Sequence, residues 1–344
     1  MSKTLHASAV FRGVLPVDLI THISAHARDA ELLVEETDRG LIVTVPLATV
    51  SLEASRATLQ VDIDAVDAAA LQNIRDYLHY TLDHVAPGLT SGATWHGDIL
   101  RNRAPLNFTT ATVHGIRRVG PNFLRVELEC SDTRRLSAER GMHFSLLLPP
   151  DGRTPVWPRL DDNGRTVMPL GADSLHRAAY TFVELDPERE RFTFDVFEHE
   201  GGRTTAWART AQRGDLVGIS GPGSGGFPPG QNILIAGDET AIPAIRRILQ
   251  TSAPDRRGHA LLEVGTEADI CDLSRPDGID LSWCVRNRGE SLWDRLSEAP
   301  LPQGPDRFVW VAAEKTVVRN AKARFRQTLR LGLSEGYFAY YWEV

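Results

Sequence analysis

The chain has 344 residues, of which 42% are hydrophobic and 24% are charged. These proportions are ordinary for a folded protein and exclude a largely disordered chain. The 45 acidic and 38 basic residues give a net charge of −7, which argues against nucleic acid as the main partner. Only three cysteines are present and none forms a CxxC pair, which excludes a four-cysteine iron–sulfur or zinc site within one chain.

Nothing in the sequence is typical of a membrane segment. The longest apolar runs, such as Ile233–Ala236, are far shorter than the ~20 residues that a spanning helix needs. The N-terminus lacks the apolar segment of a secretory signal, and three cysteines make a disulfide scaffold implausible. We therefore expect a cytoplasmic protein without stable membrane insertion, either a monomer or a weak dimer.

Residues 1–97 predict a small α+β module of unknown role. A strand-like run at His6–Phe11 precedes a helical pattern at Pro16–Ala27, and Asp67–His84 carries apolar residues at spacings of three and four. Short strand-like runs lie between the two helices and predict a meander: Glu31–Glu35, Leu41–Val45, Val50–Glu53 and Ala57–Ile63. The stretch that follows is rich in Pro, Gly, Ser and Asn, and we assign residues 98–107 to a linker.

Residues 108–228 predict an antiparallel β-barrel, because many short strands occur with a single helix near Ala206–Gln212. The strand-like runs are Ala111–Arg118, Phe123–Cys130, Met142–Leu148, Ala179–Leu185 and Arg191–Phe197. Turn signals such as Gly120–Pro121 separate them. The Gly- and Pro-rich run Gly221–Gly230 marks the end of this predicted domain.

Residues 229–344 predict a doubly wound α/β domain, because strands alternate with helices. The predicted strands are Asn232–Ala236, His259–Gly265, Asp280–Val285, Phe308–Ala312 and Phe338–Trp342. The predicted helices are Ala241–Ser252, Ser291–Ala299 and Val317–Leu331. The whole chain is thus expected to be a multi-domain α+β and α/β protein whose ligands bind at the carboxyl ends of the parallel strands.

The segment Ala236–Ile245 carries the most distinctive local pattern. A buried strand is expected to end at Gly237 and a helix to begin near Ala241, with Thr240 as the helix cap and Pro243 in the first turn. The pattern lacks the GxGxxG dinucleotide fingerprint. An ordinary capped turn between strand and helix has the same appearance, so the segment alone does not indicate a ligand.

Two further segments are candidates for cofactor binding. In His199–Ala211, two glycines precede a helix that we expect to begin at Ala206 with Thr204 or Thr205 as its cap, and its free amides would suit a pyrophosphate. In the pair Tyr180–Thr181, the ring can stack on a flavin while the hydroxyl bonds a ring nitrogen. Each segment also has a purely structural interpretation. The first can be an ordinary strand–helix connection, and the second can simply pack inside the barrel.

These three segments, in this order and at these spacings, resemble the siderophore-interacting protein family of ferric-siderophore reductases, which are ferredoxin-reductase-like flavoproteins. The resemblance covers roughly Phe108–Trp342, and AGDETAIPAI is its most specific part. Other matching motifs are FEHEGGRTTAWA, GDLVGISGPG, WCVR and FVWVAAE. The residues ahead of this region resemble a small uncharacterised domain that is sometimes fused to the family.

The resemblance implies noncovalently bound FAD that is reduced by NAD(P)H and passes electrons to an iron(III)-siderophore, releasing iron(II) for intracellular iron assimilation. It makes Tyr180 and Thr181, facing the isoalloxazine, the candidate catalytic residues. It assigns cofactor contacts to Arg177, Tyr180, Thr181, His199, Gly202, Thr204, Thr205, Trp207, Gly237, Asp238, Glu239, Thr240 and Arg286. His199 and the Thr204–Ala208 turn would hold FAD phosphates or adenine, and Arg286 the phosphates of the second nucleotide. No resident metal is implied.

The sequence departs from the family at three places, the first being the arginine that usually follows the Tyr-Thr pair, where this chain has Phe182 and Val183. The family's Arg-x-Tyr-Thr motif would put its arginine at Ala178, whereas Arg177 stands one residue early, so that only a β-bulge would bring it to the phosphate. The family carries Arg after its C-terminal Tyr-Trp, where this chain has Glu343, which reverses the charge expected to attract anionic ferric siderophores. Two alternatives therefore stay open: a flavin-dependent reductase of another acceptor, such as a quinone or free flavin, and a siderophore-binding protein with a decayed flavin site.

Three further groups of histidine or basic residues lie outside the resemblance or add to it. His22, His26, His79 and His84 lie on the two predicted N-terminal helices at spacings that suit a metal, although exposed histidines on acidic helices have the same pattern. The basic helix Lys315–Arg330 would suit a ferredoxin-like electron donor, or is simply solvated. Arg246 and Arg247 are an alternative site for the 2′-phosphate of NADPH.

Overall fold

The computed structural model describes residues 4–45, 47–138, 141–223 and 226–343. Ser224 and Gly225 of the predicted boundary run, and Val344 at the chain end, lie outside the described residues. Contacts between residues divide the chain into two compact units, Met1–Phe108 with Pro149–Leu175, and Thr109–Leu148 with His176–Val344. The segment 149–175, which the sequence assigns to the predicted barrel, thus groups with the N-terminal residues.

The strands and helices follow one another in a mixed order. The strands are β1 Leu5–Arg12, β2 Leu33–Thr37, β3 Gly40–Val45, β4 Ala48–Ala54, β5 Thr58–Ala65, β6 His96–Gly97, β7 Phe108–Gly120, β8 Phe123–Glu129, β9 His143–Leu148, β10 Arg159–Leu160, β11 Thr166–Val167, β12 His176–Thr181, β13 Glu184–Asp186, β14 Arg191–Phe197, β15 Leu216–Ser220, β16 Asn232–Gly237, β17 Arg257–Val264, β18 Ile279–Val285, β19 Arg307–Glu314 and β20 Gly336–Trp342. The α-helices are α1 Leu19–Asp29, α2 Ala68–Val85, α3 Thr133–Ala138, α4 Arg203–Thr210, α5 Ile242–Gln250, α6 Leu292–Glu298 and α7 Lys315–Lys322. In the part of the chain described here, no helix is both long and apolar enough to span a membrane.

The first unit is built on a six-stranded sheet with the order β2-β3-β4-β5-β1-β6. Buried residues alternate along β1, β4 and β5, as Ala7, Ala9 and Phe11 do in β1, because successive side chains of a strand point to opposite faces. The buried positions of α1 and α2 complete one apolar core with that face. Asp67 ends the preceding loop and caps α2, accepting a hydrogen bond from the Ala70 amide at 2.8 Å.

The hairpin β10–β11 packs against α2 within the same unit. Arg75 donates to the Asn163 carbonyl at 2.8 Å, and Thr166 donates to Asp76 at 2.5 Å through its hydroxyl. Arg165 forms an ion pair of 3.1 Å with Asp83. Arg75, Asp76 and Asp83 of α2 therefore take partners that lie more than seventy positions along the chain, which explains why segment 149–175 belongs to this unit.

The second unit begins with a seven-stranded sheet with the order β12-β9-β15-β7-β8-β14-β13. The pairings of β8 with β7 and β14, and of β9 with β12 and β15, are antiparallel. Four phenylalanines fill the centre of its core, at Phe144, Phe182, Phe192 and Phe194, with ring centroids as close as 4.5 Å. Closure of this sheet into a barrel stays a prediction.

The remainder of the second unit contains a five-stranded parallel sheet with the order β18-β17-β16-β19-β20. Ile233 and Ile235 of β16 join α5 in one core, whereas Leu234 and Ala236 join α6 and α7 in another. The helices therefore cover both faces, as in a doubly wound α/β fold. The mixed α+β and α/β class is as predicted. The carboxyl ends of β16, β19 and β20 meet at one edge of this sheet.

The predicted helix Val317–Leu331 is shorter and less regular than its pattern suggests. Helix α7 ends at Lys322 and continues as a π-helical turn, Ala323–Thr328. Arg324 donates to the carbonyls of Leu296 and Ala299, and Arg326 to those of Leu333 and Gly336. These two cations therefore stabilise the local fold, which weakens the predicted docking surface for an acidic electron donor.

Candidate functional site

A cleft of about 510 Å³ lies in the second unit, where the antiparallel sheet meets the carboxyl edge of the parallel sheet. Four predicted site residues line it, namely Tyr180, Thr181, His199 and Thr240. The other lining residues are Phe123, His143, Ala178, Ala179, Asp195, Phe197, Pro243, Tyr337, Ala339, Tyr340, Tyr341 and Trp342. Aromatic rings dominate these walls, and the lining residues within the described chain include no Lys or Arg.

The pair Tyr180–Thr181 ends β12 and faces this cleft. Its register places Tyr180 opposite Phe144 and Thr181 opposite His143 on β9. The Tyr180 ring lies 5.0 Å from the Phe194 ring, and burial raises the pKa of its phenol. Thr181 is 7% exposed, so its hydroxyl is held where water has little access. Both residues occupy the positions that the sequence predicted for them, at the mouth of an aromatic core.

Arg177 lies away from this cleft. The pairing of β12 with β9 is regular from His176 to Thr181, with no bulge, so Arg177 lies on the strand face opposite Ala178 and Tyr180. Its guanidinium is exposed and donates to the Ser145 hydroxyl at 3.0 Å. The bulge that would have brought Arg177 to the phosphate is therefore not present in β12. His176 shares the face of Tyr180 instead, and its Nε2 lies 3.1 Å from the Thr204 hydroxyl.

The α4 segment differs from its prediction at the start of the helix. The helix begins at Arg203 with Gly202 as its N-cap and no side-chain cap, so the expected cap by Thr204 or Thr205 is wrong. Both threonines are buried. A Cβ on Gly202 would lie 2.8 Å from His199 Nε2 and from the Thr205 hydroxyl, so this glycine permits a tight cradle before the helix.

Trp207, on the same helix, packs against the core of the antiparallel sheet and does not line the cleft.

Asp238, and not Thr240, caps the turn after β16. One of its carboxylate oxygens accepts hydrogen bonds from the Thr240 amide at 3.0 Å and the Thr240 hydroxyl at 2.5 Å. The other accepts from the Glu314 amide at 2.9 Å and the Trp342 indole at 2.8 Å. Asp238 is 3% exposed, and burial raises the pKa of its carboxyl while these bonds lower it. The carboxylate thus joins three strand ends beneath the cleft.

The remaining predicted residues of this turn take structural contacts. A Cβ on Gly237 would meet the Ala241 Cβ at 2.6 Å and the Ala312 carbonyl at 2.8 Å, so the glycine allows close packing of strand and helix. Glu239 is buried and pairs with Arg286, whose guanidinium also donates to Glu263 at 2.7 Å. The pair with Glu239 includes a contact of 2.9 Å. Gly237, Glu239 and Arg286 lie outside the lining of the cleft.

The C-terminal strand supplies a wall of the site that the sequence analysis missed. β20 was predicted, but the contribution of its aromatic side chains to the cleft was not. A pattern of hydrophobic residues indicates only a strand. The signal that could have indicated an aromatic wall was the run of three aromatic residues Tyr340–Trp342. Glu343, which follows, pairs with Lys315, whose ammonium also lies 5.5 Å from the Tyr340 ring.

A buried charge cluster that the sequence analysis also missed lies at one side of the cleft. Asp195 accepts two hydrogen bonds from Arg125, at 2.7 and 2.9 Å, and one from Arg246 at 3.2 Å. The three residues belong to β14, β8 and α5. Arg247 donates to the Phe182 carbonyl at 3.1 Å. Arg246 and Arg247 are thus engaged in joining α5 to the antiparallel sheet, which weakens the alternative that they bind a 2′-phosphate.

The four N-terminal histidines do not form a metal site. No cluster of three or more His, Cys, Asp or Glu side chains suited to a metal occurs among the residues for which the structure gives a placement. His79 is buried, and its Nε2 accepts a hydrogen bond of 2.7 Å from the Trp95 indole. His26 Nε2 lies 2.8 Å from the Tyr77 hydroxyl. The hypothesis of metal capture by these histidines is therefore wrong for the described residues.

The cleft fits a planar aromatic group that carries a phosphate tail. Its walls are aromatic, the buried residue Thr181 lines it, and His199 lines it just ahead of α4, whose first turn has no side-chain cap. Burial of large flat surfaces with a few placed polar groups is typical of cofactor sites. FAD has both parts, so the residues present fit it.

Comparison with known proteins supports the same conclusion. Residues 112–226 match the profile of the siderophore-interacting FAD-binding domain, and residues 230–344 match that of the siderophore-interacting protein. The NADPH-dependent ferric-chelate reductase of Escherichia coli is 30% identical over 232 residues, which cover 65% of this chain and 89% of that protein. The chain belongs to the siderophore-interacting protein family.

Other members of the family extend this result. The ferric vibriobactin reductase ViuB of Vibrio cholerae is 27% identical over 233 residues, 65% of this chain and 85% of that protein. The crystal structure of a siderophore utilization protein from T. fusca is similar with a TM-score of 0.61 and 27% identity, covering 71% of this chain and 95% of that chain. The siderophore-interacting protein SipS from Aeromonas hydrophila gives a TM-score of 0.58 at 26% identity, covering 71% and 100%. The prediction that the cofactor is FAD is confirmed by the domain match.

Proposed function

We propose that this protein is an FAD-dependent reductase that passes electrons from NAD(P)H to an iron(III)-siderophore and releases iron(II) for intracellular iron assimilation. The observation that carries the proposal is the aromatic cleft, which brings Tyr180 and Thr181 to the carboxyl edge of a parallel sheet in a chain with an FAD-binding domain. The names of the relatives in Escherichia coli and Vibrio cholerae support this substrate class.

The residues that line the cleft have different roles, which follow from their positions. When bound, FAD accepts a hydride from the nicotinamide and delivers single electrons to iron. Tyr180 offers its ring as a stacking surface, and the Thr181 hydroxyl is the candidate hydrogen-bond partner of the ring system. Thr240 and Pro243, at the carboxyl end of β16, form the side from which a nicotinamide would approach. No side chain needs to act as acid or base on the iron.

The pyrophosphate of FAD would lie at the Gly202 cradle, where the first amides of α4 are free of side-chain caps. His199 lines the cleft beside this cradle, and Thr204 and Thr205 are buried behind it. Arg177 shares its strand face with Ala179 and Thr181, but its guanidinium donates to Ser145, so its predicted phosphate contact would require it to give up this partner. Arg286 remains a candidate for the second nucleotide only if it exchanges its carboxylate partners for phosphate.

A second candidate function also has a specific observation in its favour. The cleft is lined by no Lys or Arg within the described residues, and Glu343 follows its aromatic wall. A neutral planar acceptor, such as a quinone or free flavin, would meet no unfavourable charge there. This reading keeps the same cofactor and changes only the acceptor, so it differs from the first proposal in its substrate preference.

The test begins with the colour of the purified chain. A yellow protein with absorbance near ~450 nm that is bleached by NADH or NADPH supports a flavin reductase. Iron(II) trapped by ferrozine from a panel of ferric siderophores then supports the first proposal, while faster turnover with quinone or free flavin supports the second. A colourless protein that takes up no FAD yet binds a siderophore would overturn both and leave a binding protein. Reduced ferredoxin, tried as donor in place of NAD(P)H, tests the remaining partner.

A further inference from the structure

Asp238 is connected to the cleft through two lining residues, Thr240 from its own turn and Trp342 from β20. The residue itself is buried and does not line the cleft, whereas Trp342 does. The Trp342 indole donates to one carboxylate oxygen at 2.8 Å, and the Glu314 amide donates to the same oxygen at 2.9 Å. The other oxygen is used by Thr240. The four donors are two backbone amides, a hydroxyl and an indole, so neutral dipoles hold this carboxylate.

The C-terminal strand needs such a contact because it lies at the edge of the sheet. Among the described strands β20 pairs with β19 alone, and the register shifts at its end, where Ala313 pairs with Tyr340 and Glu314 with Trp342. The shift leaves Tyr341 as an extra residue, and a bulge of this kind redirects the side chains that follow it. Tyr340, Tyr341 and Trp342 all line the cleft as a result. Beyond the bulge, Glu343 is held by Lys315 in an exposed ion pair.

We propose that Asp238 is a positioning residue that fixes the Trp342 indole and thereby sets the aromatic wall of the cleft. Asp238 lies at the end of β16 and Trp342 at the end of β20, two strands that are not neighbours in the sheet, and the hydrogen bond joins them across the end of β19. The residue would then act on nicotinamide and acceptor through the wall and not by touching either. This inference rests on the proposed function for its catalytic part only.

The first experiment measures hydrogen exchange in the apoprotein, and so does not depend on the reductase activity. Trp342→Phe removes the indole donor and leaves the three other bonds of Asp238 in place, so the turn should still form. We expect amides in residues 336–343 to exchange about 10- to 100-fold faster, as for the loss of a hydrogen bond to a charged group. Asp238→Asn should accelerate the same amides, and the double variant should exchange no faster than the faster single variant.

The matched control is Glu343→Gln, which loses the exposed pair with Lys315 at the same strand end. We expect its exchange in residues 336–343 to stay within about twofold of the wild type, because exposed ion pairs contribute little. Additive effects of Asp238→Asn and Trp342→Phe would overturn the proposal, since independent sites add. Wild-type exchange in Trp342→Phe would also overturn it, even if Asp238→Asn failed to fold.

The second experiment uses the FAD-loaded protein and separates positioning from a general loss of structure. We expect Trp342→Phe and Asp238→Asn to raise KM for the nicotinamide by a similar factor, about five- to tenfold, with the dissociation constant of FAD within threefold of the wild type. A larger loss of FAD affinity with unchanged KM would overturn the positioning role. If the chain reduced no acceptor, the exchange result would still stand, and only the proposed function would fail.

Discussion

Replacing Asp195 by Asn tests whether the buried charge cluster holds the two parts of the second unit together. The side chains of Asp195, Arg125 and Arg246 are 2%, 10% and 20% exposed, and this carboxylate is the nearest counter-charge of both guanidinium groups, although Arg125 also has a longer ion pair of 3.4 Å with Glu184. Removing one partner of a buried ion pair costs about 3–5 kcal/mol. Asn still accepts one hydrogen bond and Arg246 has some access to water, so we expect a cost of about 3 kcal/mol.

Hydrogen exchange of β8 and β14 is the suitable assay, because it reports the stability of this region without requiring the whole chain to unfold in one step. A cost of about 3 kcal/mol corresponds to roughly 100-fold faster exchange of amides that open only with the sheet. Glu188→Gln is the matched control. It breaks the pair with Arg134, whose side chains are 76% and 83% exposed, and should leave exchange within about threefold of the wild type. Equal exchange in Asp195→Asn and Glu188→Gln would refute the reasoning.

Three further predictions follow from single contacts. Thr181→Val should slow flavin reduction by NAD(P)H while FAD stays bound, and stopped-flow bleaching at the wild-type rate would contradict the role of its hydroxyl. Burial lowers the pKa of His79 to about 4. As pH falls from 6.5 to 4, His79 therefore takes up a proton in the unfolded chain but stays neutral in the native chain. Wild-type stability should therefore fall by about 3 kcal/mol over that range, and His79→Gln should lose most of this dependence in urea titrations. Glu343→Arg should lower KM for anionic ferric siderophores at low salt without changing the melting temperature, and a KM that ignores both the substitution and the salt would count against a charge effect.

The sequence predicted most of the elements because their signals are local. The helix α2 was expected at Asp67–His84 and extends over Ala68–Val85, with Asp67 as its cap. The strands around the turn at Asp238 were expected from a run of buried residues followed by glycine, and the parallel sheet followed from their alternation with helices. Such patterns occur in any fold in which a helix or strand buries one face. Predicting these elements therefore required no knowledge of which elements pack against them.

The errors concern contacts between residues that are distant in sequence. Thr240 was expected to cap a helix, but Asp238 takes that role because its carboxylate also binds Glu314 and Trp342, which no local pattern reveals. The sequence left the position of Arg177 dependent on a β-bulge, and only the pairing with β9 shows that β12 is regular. Segment 149–175 gave only turn signals, since its partners lie on α2.

The position of residues 149–175 in the first unit also determines how this protein can be divided into fragments. The first unit is discontinuous in sequence, and Leu160 is fully buried within it. A truncation at residue 108 would leave β10–β11 without Asp76, Asp83 and the rest of α2, while the N-terminal residues alone would lack the hairpin that pairs with these two carboxylates. The N-terminal region is therefore not a detachable module despite standing first in the chain. A gene that lost it would also have to shorten the loop between β9 and β12, so the two deletions should occur together.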